Sequence, residues 1–172
     1  MGRQLLANIR NLLGYSTPKV YKQAGALALQ LKKQAAHENK TLRAVGHSLG
    51  GGLTAVACAK AGIKGCAFSS AALGAKTMKR LTPEEKENAK NLVSNYLVEG
   101  DLLNNSRFTN AFRMEAKATI PGNRVIIKPK PGEYLKPFLA RHSDSHKCYM
   151  EVLKAQSKEH NLSSEPPPEY LP

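Results

Sequence analysis

The amino-acid sequence predicts an α/β fold built on a short parallel sheet, and three observations carry that prediction. Helical and strand-like segments alternate from residue 17 to residue 69, the order needed for parallel strands joined by crossover helices. A glycine-flanked serine, in Gly46-His47-Ser48-Leu49-Gly50, stands where one such strand gives way to a helix. Hydrophobic residues make up 41% of 172 positions, enough to enclose a core and too many for a disordered chain.

Taken in order, Leu5, Leu6, Ile9, Leu12 and Leu13 recur at helical spacing among Arg3 and Arg10, with Gly14 as a stop. Residues 1–16 therefore read as a basic amphipathic helix that packs on its own domain or contacts a membrane or partner. Thr17 is a cap and Pro18 a first helical residue. They open a long helix to about Glu38, with Val20, Ala24, Leu27, Leu31 and Ala35 on one face against a sheet.

Thr41 to Gly46 then reads as a short buried strand, and Leu53 to Ala61 as a buried helix of small apolar residues ended by Gly62. Ile63 to Ser69 supplies a second strand. Thr82 and Glu85 bracket a capping box at the start of another helix. Asn95 to Glu99 is a strand ending at Gly100-Asp101, and Asn123 to Lys128 is a β-rich run stopped by Pro129. Cys148 to Ala155 is the last helix. The polar, proline-rich residues 157–172 form an extended or disordered tail, which leaves a domain over residues 1–156.

Lys and Arg number 26 against 13 Asp and Glu, a formal net charge of +13 with histidines neutral. That excess attracts an anionic partner: nucleic acid, an acidic membrane or an acidic protein. Specific nucleic-acid binding is disfavoured, because the lysines form no stripe, aromatics are 6% and Trp is absent. Cys58, Cys66 and Cys148 show no CxxC spacing, so neither a zinc ribbon nor a disulfide framework is expected. No metal or cofactor is expected. The N-terminus lacks the apolar run of a cleaved signal peptide, and nothing approaches the ~18 apolar residues of a membrane span. A soluble chain, or one secreted by a route without a cleaved signal, is the expectation.

Gly46-His47-Ser48-Leu49-Gly50 matches G-x-S-x-G with a strand before it and a small-residue helix after it. In a nucleophile elbow the serine takes a strained conformation on a sharp turn, so the residues two positions away must lack side chains. The turn exposes the Ser48 hydroxyl, and the helix start turns N–H groups, first that of Leu49, toward developing negative charge.

GHSLGGGLTAVACA resembles the nucleophile segment of the α/β-hydrolase lipases, particularly the class 3 group. The longer stretch VGHSLGGGLTAVACAKAGIKGCAFSSAALG is similar to the lipase domains of bacterial antibacterial effectors and polymorphic toxins. There GHSLGGGL is followed by a strand and a turn like Ala71-Ala72-Leu73-Gly74. The similarity runs from about Tyr21 to Asp101. It implies a minimal or truncated α/β-hydrolase-like sheet with flanking helices. The implied activity is a serine esterase, lipase or phospholipase acting on lipid esters.

Such enzymes place Ser, then Asp or Glu, then His along the chain. The acid belongs at the C-terminal end of a later strand, where Glu99 and Asp101 stand; the resembling lipases carry theirs in a matching Gly-Asp, which selects Asp101. The base must come later still. Arg141-His142-Ser143-Asp144-Ser145-His146 offers two histidines, and His146 is preferred because it directly precedes the apolar positions of the last helix. His142 is the alternative. His37 precedes the elbow and reads as a helix-surface residue, His47 as the x of the motif, pointing elsewhere from Ser48, and His160 as an inert residue of the tail.

A complete sheet of this class has strands ahead of the elbow, one ending in the loop of the second oxyanion donor. Residues before Leu42 read as two helices with no strand. A minimal sheet, a front half supplied by another chain or a fragment of a longer protein each accounts for that. The alternative function is a non-catalytic membrane- or protein-binding module. With the charge, the resemblance implies an anionic membrane surface and an acidic immunity or carrier protein as partners.

Overall fold

The computed structural model describes residues 19–99 and 119–128. Its elements in chain order are α1 (Lys19–His37), β1 (Ala44–His47), α2 (Leu49–Ala61) and β2 (Gly65–Phe68), then α3 (Ala75–Lys79), α4 (Pro83–Leu92), β3 (Val93–Val98) and β4 (Asn123–Ile127). The strands form one all-parallel sheet in the order β1-β2-β3-β4. This is a minimal α/β architecture, as the alternation of segments predicts.

Small residues make the centre. Along α2 the side chains of Thr54 to Ala59, and that of Ala61, are all buried. Ala57, Cys58 and Ala61 form a core with Ala67, Val93 and Ile63, against which Leu42 and Ala44 pack. The approach is close enough that a Cβ on Gly65 would stand 2.5 Å from the Cys58 sulfur and 2.7 Å from the Ala44 carbonyl oxygen. Burial, and less so the neighbouring Cys66, pushes the Cys58 thiol up to about 12, the behaviour of an inert core thiol. On the other face of the sheet Val98 and Ile127 cluster with Phe68 and Tyr96, whose rings stack 5.2 Å apart.

Two sequence expectations need correction. The long helix packs chiefly on α2, through Tyr21, Gly25 and Ala28, whereas Val20, Leu27 and Leu31 of the expected face are exposed. Shape decides this, not hydropathy: a Cβ on Gly25 would lie 2.9 Å from Lys60 Cγ, so the small side of the helix faces its neighbour. The elbow strand is also less buried than expected. β1 is an edge strand of the sheet formed by the described residues, and Val45 is 70% exposed.

Helix ends are fastened as the sequence indicates. Gly62 adopts the left-handed conformation (φ 58°) that closes α2, and Lys32 Nζ donates to the Ala61 carbonyl at 2.6 Å, a cation at a helix C-terminus. Glu85 N–H donates to Thr82 Oγ1 and Thr82 N–H to Glu85 Oε2, completing the capping box of α4.

Candidate active site

β1 is extended up to His47 and Leu49 is already helical, so the reversal of direction falls on Ser48. Its backbone has φ 56° and ψ −118°, a region that costs a residue with a side chain of order 1–3 kcal/mol. Hydrogen bonds on both sides hold it there. The Ser48 N–H donates to the Phe68 carbonyl at 2.9 Å, continuing the β1–β2 pairing. The Ser48 carbonyl accepts from the N–H groups of Gly51 at 3.0 Å, Gly52 at 3.4 Å and Ala71 at 2.8 Å. The serine is half-buried.

The motif glycines differ in what they do. A Cβ on Gly46 would stand 2.2 Å from the Gly50 carbonyl oxygen and 2.6 Å from Thr54 Oγ1, so this position excludes any side chain. A Cβ on Gly50 meets nothing within 4 Å among the described residues, contrary to the expectation that both glycines are needed for space. The crowded glycine beyond the serine is Gly51, where a Cβ would come 2.9 Å from Ser70 Cα. The reason is direction: Gly51 and Gly52 turn to the buried side of α2, while Gly50 is half-buried in its first turn.

Ser69 and Ser70, which sequence reasoning left out, complete the support of the turn. Both are fully buried, and Ser69 has φ 43° with its N–H on the Tyr96 carbonyl at 2.9 Å. Ser70 Oγ donates to the Ala71 carbonyl at 3.2 Å. The readable signal is the run of small residues directly after a strand, since only small side chains fit against a glycine-lined helix. The same loop is anchored at Leu73, which exchanges backbone hydrogen bonds with Thr119 at 2.8 and 2.9 Å.

Parallel pairing gathers the C-terminal ends of the strands at one edge, the usual place for ligands in such sheets. Ser48 follows β1 there, and Glu99, whose N–H donates to the Ile127 carbonyl at 2.9 Å, follows β3. Leu49 is the first residue of α2; a first-turn N–H has no acceptor within its helix and lies at the positive end of the helix dipole. His37 and His47 are exposed. Asp101, His142, His146 and His160 lie outside the described residues, as do residues 1–16 and 157–172.

A family model for the Tle-like phospholipase domain matches residues 4–125. The chain belongs to that family. The match spans the elbow, its supporting loop and the first three strands, and reaches into β4. It agrees with the resemblance of the Ser48 segment to effector lipases. As a Tle-like phospholipase domain the chain is a lipid-hydrolysing enzyme of the effector type. No curated protein shows significant similarity to it. Among the described residues no helix is long and apolar enough to cross a membrane.

Proposed function

We propose that this domain cleaves a carboxylic ester of a phospholipid through an acyl-enzyme on Ser48. The observation that supports it most is the strained turn at Ser48, held by four backbone hydrogen bonds at the strand ends of a phospholipase-family sheet. Strain kept at such a turn is what an exposed nucleophile requires.

In this reading His146 takes the Ser48 proton as Oγ attacks the ester carbonyl, and the Leu49 N–H faces the oxyanion. Collapse of the tetrahedral intermediate expels the alcohol, which receives the proton from His146. Water, deprotonated by the same imidazole, then releases the fatty acid and restores Ser48. Asp101 keeps the imidazole in the useful tautomer. The end of β3 at the same edge as Ser48 supports an acid from that strand. A general base contributes ~10²–10⁴ in rate and one oxyanion donor ~10²–10³. The charge of +13 favours anionic phospholipid as the substrate surface and an acidic protein as carrier or immunity partner of a toxin.

The test is labelling by a fluorophosphonate together with hydrolysis of a short acyl ester. Ser48→Ala should lose both while its circular dichroism is unchanged; turnover retained in Ser48→Ala overturns the proposal. His146→Ala should fall to background with His142→Ala near wild type, and the reverse pattern would transfer the role of base to His142. Asp101→Asn should lower turnover by several orders of magnitude.

The edge position of β1 favours one other reading, a lipid-binding module without chemistry. It predicts vesicle binding with no probe labelling.

A further inference from the structure

At the end of β1 opposite Ser48 lies a half-open cleft of about 390 Å³ between α1 and the segments leading into β1 and β2. Its polar lining is Thr41 and four cations, Lys32 from α1, Lys40 and Arg43 from the first connection, and Lys64 from the second, beside apolar Leu42 and Ile63. Among the described residues no carboxylate lines it.

One of these four charges is met from outside the cleft. Lys40 is paired with the exposed Glu38 at 2.9 Å, and Lys32 spends one of its donors on the Ala61 carbonyl. Arg43 and Lys64 have no ion-pair partner among the described residues. They directly precede the paired residues Ala44 and Gly65, so two like charges stand side by side on neighbouring parallel chains. Like charges placed opposite each other destabilise a sheet. A polyanion in the cleft would reverse the sign of that interaction and accept charge-assisted hydrogen bonds from the guanidinium fork and the ammonium groups. The half-open cleft leaves room for a phosphate-bearing group among these cations.

We infer that this cleft is a binding site for a phosphate-bearing anion, separate from the acyl chemistry at the other end of the strands. Two sources share that chemistry: the headgroup of an anionic phospholipid and a free phosphorylated small molecule. A headgroup bound here would hold the domain with the Ser48 end turned away from that bilayer, so the site is not the route by which substrate reaches the serine.

The experiment measures binding, so its result is independent of turnover. Inorganic pyrophosphate is titrated into the full chain by calorimetry at low salt, beside Arg43→Gln/Lys64→Gln and a charge-matched control, Lys76→Gln/Lys86→Gln, which removes two exposed lysines elsewhere. Saturable binding that weakens about tenfold or more in the cleft variant and hardly changes in the control is expected. Amide spectra of the variants verify their folding, and Lys64→Gln alone provides a milder change. Equal binding by the two double variants, or none by wild type, overturns the inference. Phosphatidylcholine vesicles containing phosphatidylglycerol then separate the sources. Capture that needs Arg43 and Lys64 and is competed by pyrophosphate assigns a headgroup. Vesicle capture indifferent to the cleft variant, with pyrophosphate binding retained, assigns a free phosphate ligand.

Discussion

The carbonyl oxygen of Ser48 accepts the Ala71 N–H at 2.8 Å. That bond joins the turn after β1 to the loop after β2, and it is made by a residue whose dihedral angles are unfavourable. The Ser48 turn is therefore set by tertiary contacts as well as by its glycines: β2 holds its N–H through Phe68 and the following loop holds its carbonyl.

Three glycines around the turn should answer differently to alanine. Gly46→Ala drives a methyl into the Gly50 carbonyl, a backbone atom that cannot step aside; a loss above about 4 kcal/mol, or no soluble protein, is expected. Gly51→Ala meets Ser70 Cα at 2.9 Å and should cost about 1–3 kcal/mol, read as a fall of several degrees in Tm. Gly50→Ala has room and should be neutral or stabilising by a few tenths of a kcal/mol, since Ala is the better helix former. Thermal melts that rank Gly50→Ala with Gly46→Ala would contradict this account of the turn.

Strain at Ser48 implies a second ordering. Glycine tolerates φ 56° whereas alanine does not, so Ser48→Gly should be more stable than Ser48→Ala by about 1 kcal/mol, despite glycine's greater freedom when unfolded. Denaturant titration of the two variants measures the difference directly. A more stable alanine variant would mean that the turn relaxes in solution.

Much of this was legible in the sequence because it depends on local rules. The strand-serine-helix order, the Gly62 stop and the Thr82–Glu85 box follow from backbone conformation and from nearby partners, and the structure has all three. What was not legible depends on which small surface meets which. Hydropathy points Leu27 and Leu31 of α1 inward, yet the pairing of α1 with α2 is decided by how closely Gly25 and Lys60 can approach. The same limit applies to Ser70, whose place against Gly51 arises only when β2 has been laid beside β1. Chain order also pointed to the strand end at Glu99 and Asp101, between which the resemblance chose Asp101, and to the His142–His146 pair, but order alone cannot say which imidazole reaches the serine.

Glu85 serves two contacts at once, and its pH dependence should reveal both. Its carboxylate closes the box on Thr82 and takes Lys60 Nζ on both oxygens at 2.8 Å, tying α4 to α2. Burial pushes its pKa up, but Lys60 and the Thr82 N–H outweigh it and the net shift is downward from 4.5. A depressed carboxylate contributes stability above its unfolded pKa and loses it as pH falls through the folded value. Acidification below about 4.5 should therefore lower the Tm of wild type more than that of Glu85→Gln. Thr82→Ala should cost about 1 kcal/mol at neutral pH while keeping the part of the acid limb due to Lys60. Parallel acid limbs for wild type and Glu85→Gln would remove Glu85 as the source.

Tyr21 gives the alkaline counterpart. Its side chain is buried at the α1–α2 contact, against Gly52, and among the described residues its hydroxyl has no hydrogen-bond partner. Removing an unsatisfied buried polar group relieves its desolvation cost, so Tyr21→Phe should be neutral or stabilising by about 1 kcal/mol. Burial pushes this phenol from 10.0 up to about 12. Between those values the unfolded chain has lost the proton that the native state keeps, so the unfolded state binds fewer protons and stability falls as pH rises. Tyr21→Phe should flatten that fall, leaving the part due to Cys58, whose thiol is also raised to about 12. Ultraviolet titration should show one fewer late-ionising phenol in the variant. A Tyr21→Phe protein less stable by more than about 1 kcal/mol would show instead that the hydroxyl is bonded in solution.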